Sequence, residues 1–532
     1  MSTLAHHLGP TPQSEPLPGQ SLNNASGYSF TVDDWTRLDR FLILGSEGGT
    51  YYVSERELTI KNAACVERCL AIDGPRTVRR IAEISEGGRA PKNEPCLMAL
   101  AIAAKRGDLP TRRAAWEAMP RVARIGTHLL HLAAYVETLE GWGRSTVRAF
   151  ARWYLDMDPA RLALQVMKYQ SRDGWSHRDV LRKSHPKTRV LPSLRDSRLQ
   201  TIFGWIVKGW ESVGAEPHPD EVLAKIWAFE RAKTCTRREL VDLISRYDLP
   251  HECVPNEAKD DPAVWEAMLP TMGMTAMIRN LGKMTNVRLL APLSAHAAAV
   301  AARLSSIDEI KRARVHPIAL LVALRQYAAG HGDKGKLEWS PVPQIVDALD
   351  AAFYAAFQTV EPTGRRHLLA LDVSASMTWE KIAGMSITPR EGSVAMALVT
   401  ANVEPQHHIM AFASGIVPLS VSPRQRIDDA CRAVNQLPAS GTDCALPMIW
   451  ALENKVPVDV FVVYTDSETW AGPVHPTVAL KKYRQVTGIP AKLVVVGMTA
   501  TELTIAAPTD AGMLDVAGFD SATPALLSDF AR

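Results

Sequence analysis

The sequence predicts a two-part protein, a HEAT-like α-helical repeat array followed by an α/β doubly wound domain. Three observations predict it. Through most of the first 360 positions apolar residues recur at three- and four-residue steps, as at Leu129, Leu132, Ala133, Val136 and Leu139, which marks helices with one buried face. At about Glu361 the pattern changes to short apolar runs that end in an acid, HLLALD at 367–372 and VDVFVVYTD at 458–466, with helical segments between them. The chain has 532 residues, more than one hydrophobic core supports.

Taken in order, residues 1–28 are Pro- and Ser-rich, lack the apolar stretch of a signal peptide and read as a mobile leader. Helices are expected over 129–139, 146–154, 161–169, 220–232, 237–247, 261–269, 296–305, 317–327 and 344–357. The links between them are short and carry Pro, Gly or Asp, which suggests stacked helical hairpins without a strict sequence repeat. The segment 361–366, EPTGRR, is expected to be a hinge. Beyond it, strands at 367–372, 408–412, 458–466 and 491–496 alternate with helices at 392–402, 427–436, 445–453 and 477–486, the order of a parallel sheet. The boundaries expected are therefore a leader over 1–28, a helical domain over 29–362 and an α/β domain over 363–532.

Hydrophobic residues make up 46% and charged residues 22%, a globular composition. The net charge of +3 excludes a protein that coats nucleic acid indiscriminately, but it is a sum over unlike parts. Residues 363–532 hold 13 Lys+Arg against 16 Asp+Glu, whereas residues 1–362 hold 47 against 41. The helical part is the basic one. Seven cysteines without a CxxC pair point to a reduced, cytoplasmic chain with buried thiols. No apolar run reaches the ~18 residues of a membrane span, so no membrane partner is expected.

In the α/β part, Asp372, Ser374 and Ser376 leave the end of the first expected strand at alternate positions and can converge on one point. Thr442 precedes a helix and Asp466 ends another strand, so a hydroxyl and a second carboxylate can join them. An all-oxygen set suits a hard divalent cation such as Mg²⁺, with an open position for a partner's acidic group. The bland alternative is that Asp372 and Ser374 cap a helix; for Asp443 capping is the preferred role.

In the helical part, Lys168, Arg172, Arg178, Arg182, Lys183 and Lys187 are interleaved with Tyr169, Trp175, His177 and His185. Cations neutralise phosphates and aromatic faces stack on unpaired bases, so the stretch suits RNA, although a solvated helix face has the same composition. Trp175 suits the core. A second stretch holds Arg121, Arg124, Thr127 and His128 just before an apolar helix. His316 and His331 have no acid or Cys at metal spacing and read as packed or exposed histidines.

These residues reach a known family. RFLILGSEGGTYY at 40–52, GWSHRD at 174–179 with Ser184 and His185, RNLGKM at 279–284, AAFY at 351–354, VEPTG at 360–364 and GTDCALPM at 441–448 resemble, in order, the Ro autoantigen family. That family joins a TROVE domain to a von Willebrand factor A domain, and the chain looks like a bacterial member. The resemblance implies a ring of helical repeats closed by the A domain, whose metal-ion-dependent adhesion site matches Asp372, Ser374, Ser376, Thr442 and Asp466. It implies a small noncoding Y-like RNA on the outer basic surface, where Lys168, Arg172, His185 and Lys187 fall. It implies single-stranded 3′ ends of misfolded RNAs in a central hole, near Arg124, Thr127 and His128. Pro186 departs from the family pattern.

The function expected is thus non-catalytic RNA binding in RNA quality control, processing and decay and stress response, with a polynucleotide phosphorylase-type exoribonuclease as a further partner. A metal-dependent nuclease is disfavoured, since two-metal chemistry needs more carboxylates than Asp372 and Asp466. The alternative is a metal-dependent protein-adhesion scaffold with incidental RNA binding.

Overall fold

The computed structural model describes residues 11–45, 55–139, 141–188, 194–209, 214, 216–332, 336–357, 360–379 and 381–532. Positions 46–52 of the opening motif thus lie outside the described residues.

Helices Gly126–Leu139, Arg144–Asp156, Pro159–Lys168, Glu221–Ala232, Arg237–Tyr247, Pro262–Met268, Ala295–Leu304, Pro317–Ala329 and Pro343–Ala355 lie where the periodicity puts them. Several of their starts follow from side-chain caps. Asp158, Asp220, Thr236 and Ser294 each accept a backbone N–H of the first turn. Further helices lie at Asp34–Leu44, Glu55–Gly87, Glu94–Arg106, Leu109–Val122, His177–Ser184, Leu194–Lys208, Met274–Asn286 and Ile307–Ala313. Periodicity missed them for physical reasons. Glu94–Arg106 is buried almost all round, so it has no polar stripe to set a period. Glu55–Gly87 is two helices broken at Asp73, whose backbone is extended just before Gly74 and Pro75.

The helices pack mainly on helices near them in the chain, and hydrogen bonds tie the far end to the near one. Arg314 Nη1 donates to the Glu86 carbonyl at 2.8 Å, and the His316 ring nitrogen Nε2 lies 3.0 Å from the Arg89 carbonyl. The array therefore closes on itself.

Beyond the array, which carries its own short hairpin of β3 (Ser171–Arg172) and β4 (Trp175–Ser176), lies one six-stranded sheet. Its strands are β5 (His367–Asp372), β6 (His407–Phe412), β7 (Ile416–Val417), β8 (Val460–Thr465), β9 (Lys492–Gly497) and β11 (Met513–Ala517). The order is β11-β9-β8-β5-β6-β7, parallel except for β7. Helices Pro389–Val403, Ile427–Asn435, Leu446–Glu453 and Pro476–Thr487 fall close to their expected places. The short strands β7 and β11 were not expected, since two residues or a half-exposed edge leave no apolar run.

The array and the sheet share one apolar core. Arg40 is the polar rivet between them. Buried to 1% exposure, it donates Nη1 to the Thr501 and Leu503 carbonyls and Nη2 to both oxygens of Asp515, on β11. Arg89 pairs with Asp520 and Arg325 with Glu391, while Phe353 packs against Phe519.

Two expectations are corrected. Residues 11–28 are not a mobile leader but a built strap. Within it β1 (Ser21–Leu22) pairs with β2 (Tyr28–Thr31), and β2 pairs with β10 (Leu503–Thr504) of the α/β part. Its Asn and Gln side chains, which read as polar loop in sequence, find partners supplied more than 400 residues away. The segment 361–366 is tied rather than hinged: Thr363 N donates to Glu404 and Arg366 pairs with Asp459 at 2.6 Å.

Candidate cation and nucleic-acid sites

β5 and β8 are adjacent and in parallel register, Leu371 beside Tyr464, so the loops leaving their C-terminal ends emerge side by side. That register brings Asp372, Ser374 and Ser376 next to Asp466. All four are buried, as is Thr442. Asp372 Oδ1 accepts the Ser374 N–H at 2.9 Å, and its Oδ2 accepts the Thr465 hydroxyl at 2.6 Å. The Ser374 and Ser376 hydroxyl oxygens lie 3.1 Å apart, and Ser376 also bonds the Asp466 carboxyl. Asp466 Oδ1 accepts the Glu468 N–H at 3.0 Å. The Thr442 carbonyl accepts the N–H groups of Trp470 and Ala471, which joins the third loop to the second.

Burial raises the pKa of Asp372, and the neighbouring charge of Asp466 raises it further; burial likewise raises Asp466. Two buried acids that repel each other, among three hydroxyls, have the donor chemistry of a hard divalent cation, which would relieve that repulsion. Among the described residues no group of three or more His, Cys, Asp or Glu is placed to hold a metal ion, so the candidate site relies on two acids and its hydroxyls, with the buried Glu468 behind Asp466. Arg390 lies behind the loop. Its guanidinium donates to the backbone carbonyls of Val373, Ser374 and Leu437, not to the carboxylates. Asp443 is not the expected helix cap: Ala445 holds that position without a side-chain cap, and Asp443 Oδ1 accepts the Ala445 N–H at 3.0 Å in the turn before the helix. Sequence reasoning missed Arg390 and Thr465; Thr465, beside Asp466 at the end of a strand, was the findable one.

On the helical part, His177–Ser184 starts in a capping box between Ser176 and Asp179 and ends at His185, whose φ of 45° turns the chain outward. Arg172, Arg178, Arg182, His185 and Lys187 are exposed, and among the described residues no acid forms an ion pair with them. Lys168 differs: it is half-buried and ion-paired with Glu252 at 3.1 Å. Trp175 is not fully core. It stacks on Trp142 with centroids 5.7 Å apart, under the Lys183 ammonium, which also pairs with Glu137. His177 is buried against Tyr154, whose hydroxyl lies 2.8 Å from its ring nitrogen Nδ1.

Arg124, Thr127 and His128 flank Gly126, at the start of the Gly126–Leu139 helix, where the chain packs against Tyr169 and His177. Arg124 Nη1 donates to Ser85 Oγ and the Arg121 carbonyl, each at 2.8 Å. Burial lowers its pKa, and so does the charge of Arg314 from the far end of the array. Closure of the array thus makes a cationic cluster of Arg124 and Arg314 that linear sequence could not reveal. Burial holds the His128 imidazole down to about 3, so it is neutral at physiological pH. His316 is packed and caps its helix, and His331 is exposed. All seven cysteines are free, and six are buried. No helix among the described residues is long and apolar enough to cross a membrane.

Family comparisons agree with this architecture. The family model of the TROVE domain matches residues 21–249 and 244–326, and that of the Ro60 von Willebrand factor A domain matches residues 366–531. The chain is 42% identical over 538 residues to the RNA-binding protein RO60 of Deinococcus radiodurans, covering 100% of this chain and 99% of that one. It is 36% identical over 587 residues to the RNA-binding protein RO60 of Caenorhabditis elegans, covering 96% and 90%. The crystal structure of the Deinococcus radiodurans RO (RSR) protein superposes with a TM-score of 0.70 at 42% identity, covering 94% of this chain and 99% of that one.

Proposed function

The chain belongs to the Ro family of TROVE and von Willebrand factor A proteins, and on that premise we propose that it is a non-catalytic RNA-binding protein. Its basic surface at Arg172, His185 and Lys187, with Lys168 at the edge, takes a small noncoding Y-like RNA. The closed array admits single-stranded 3′ ends of misfolded RNAs past Arg124, Thr127 and His128. Its role is RNA quality control, with a polynucleotide phosphorylase-type exoribonuclease as the enzyme that consumes what it presents. Asp372, Ser374, Ser376, Thr442 and Asp466 hold a divalent cation, Mg²⁺ by preference, which would supply an open coordination position for an acidic partner group.

One observation carries the RNA proposal: five exposed cationic or titratable side chains lie within 16 residues around a single turn, without described acids paired to them. Other surface cations of this protein do have such a partner, as Arg80, Arg106 and Arg231 do. Unpaired clusters attract phosphate, and released counterions make binding salt-dependent.

A gel-shift titration with a Y-like RNA tests it. Replacing Arg172, His185 and Lys187 together by Gln is expected to weaken binding about tenfold or more at low salt and to flatten the salt slope. Unchanged affinity overturns the surface assigned.

A second function is favoured by a specific observation. Trp379 and Trp470 are 73% and 44% exposed, and both follow cation-site loops. Exposed aromatics beside a cation site suit protein adhesion. Pull-down with and without RNase separates the two, since a partner set indifferent to RNA favours adhesion.

A further inference from the structure

We propose that the N-terminal strap, residues 11–31, is a working part of the cation site. Gln13 and Asn24 fix the loops that carry Thr442 and Asp466 relative to each other and thereby set the affinity for the divalent ion. This rests on the assignment of a cation to Asp372 and its neighbours.

Gln13 is the link between the loops. Its side chain is wholly buried. Nε2 donates to Asp443 Oδ1 at 2.7 Å and to the Val474 carbonyl at 2.8 Å, and Oε1 accepts the Thr469 hydroxyl. One amide therefore spans the neighbour of Thr442 and the residue three beyond Asp466. The Gln13 backbone is fixed in turn, its N–H on the Gly472 carbonyl at 3.0 Å and its carbonyl on the Tyr28 N–H at 3.0 Å.

The rest of the strap holds the three residues after Asp466 one by one. Ser29 Oγ donates to the Ser467 carbonyl at 2.8 Å. Asn24 donates its N–H and its Nδ2 to the Glu468 carboxylate at 2.9 and 2.6 Å, and the Ala25 N–H adds a third bond at 3.2 Å. Asn23 Nδ2 donates to the Thr469 carbonyl at 2.7 Å. Glu468 is 1% exposed, and its own N–H is the donor to Asp466 Oδ1. The strap thus reaches the proposed ligand through one intervening residue.

Two further observations fit a fixed frame. Ser467 has a φ of 64°, a conformation that a non-glycine residue keeps where its surroundings hold it. Gly27 lies so near the loop that a Cβ there would stand 2.1 Å from the Thr469 carbonyl oxygen, so the close approach requires glycine.

Ligand oxygens held rigidly bind an ion more tightly than mobile ones, because the loops do not have to be ordered by the ion. A site with only two acids depends on that order more than an acid-rich site does. The strap supplies it from outside the sheet, with neutral amides that add no charge.

The test uses the full chain and Mg²⁺, with Mn²⁺ as a second probe, read by titration calorimetry. Trp470, whose ring packs against Gly441 beside Thr442, gives an independent fluorescence signal. Gln13→Ala and, separately, Thr469→Val are expected to weaken ion affinity about tenfold, the usual scale for an outer-layer contact, and to lower the ion-free melting temperature, since each leaves buried polar partners unsatisfied. Thr469→Val leaves Gln13 in place, so it keeps the question open to decision if Gln13→Ala fails to fold. Ion affinity equal to the parent's in these variants overturns the proposal, whatever happens to the melting temperature. Asp372→Ala identifies the other failure. If it binds the ion as the parent does, the cation assignment itself is wrong and the strap has nothing to position.

Discussion

The two sites are built in opposite ways. Around Asp372 nearly every polar atom is buried and bonded, and the loops are braced from behind by Arg390 and from outside by Gln13. Around His185 the cations are exposed, stand on one short helix and its flanks, and lack described acid partners. A small hard ion is held by oxygens fixed at short range. A polyanion is held by charge spread over a surface, where rigidity matters less. The difference teaches that a single substitution can abolish the first site, whereas the second yields only by degrees.

The comparison can be broken outright at Asp372. Asp372→Ala is expected to remove measurable Mg²⁺ binding in calorimetry while leaving Y-like RNA affinity within about twofold. Loss of both would mean that the sites are not separate. The same variant tests catalysis: appearance of Mg²⁺-dependent RNA cleavage in the parent and its loss in Asp372→Ala would restore the nuclease alternative.

Next in size is the joint between the regions. Arg40→Ala leaves Asp515 buried without its bidentate partner, which costs on the order of 3–5 kcal/mol. Differential scanning calorimetry should show a lowered and broadened transition as array and sheet uncouple. An unchanged transition would mean that the apolar core alone joins them.

Acid sharpens the contrast further. In the array, burial holds His177 and His316 down to about 4, well below the ordinary 6.5. Between those values the folded state binds fewer protons than the unfolded one, so stability is lost as pH falls from about 6.5 toward 4, by on the order of 3 kcal/mol for each histidine. In the A domain, burial raises the Asp443 carboxyl to about 6, so that the folded state binds more protons and gains stability as pH falls. Hydrogen exchange across pH 7 to 4.5 should therefore expose the helical peptides that carry His177 and His316 before β8; β5 is outside this contrast, since burial lowers His367 at its start as well. The reverse order would break the comparison.

The smallest effect lies within the basic surface. Lys168 already has Glu252, so Lys168→Gln is expected to change RNA affinity less than twofold, against severalfold for Arg172→Gln. Equal effects would mean that RNA displaces Glu252.

Much of this was legible beforehand. Strand β5 was found to the residue, because six apolar or buried positions end in an acid and a parallel strand covered on both faces needs no alternation. The helices with a polar stripe were found, and the all-buried Glu94–Arg106 helix was not, since periodicity exists only where one face meets water. The loops of the candidate site were legible because two are short motifs at strand ends and the third, at Thr442, leads into a helix. The strap was misread as a leader, because Asn23, Asn24 and Gln13 look like solvent-seeking residues until their partners are known.

By itself the sequence determined what depends on near neighbours. That covers the two-part architecture, the strand-end acids, the caps, the basic turn and the unequal charge of the two halves. Tertiary structure alone decided what depends on residues distant in the chain. It placed Asp372 beside Asp466, set Arg314 near Arg124, neutralised Lys168 with Glu252 and folded residues 11–31 onto the last domain. The physical reason is that a side chain's charge and hydrogen-bonding capacity are local, whereas the group that satisfies them is chosen by packing.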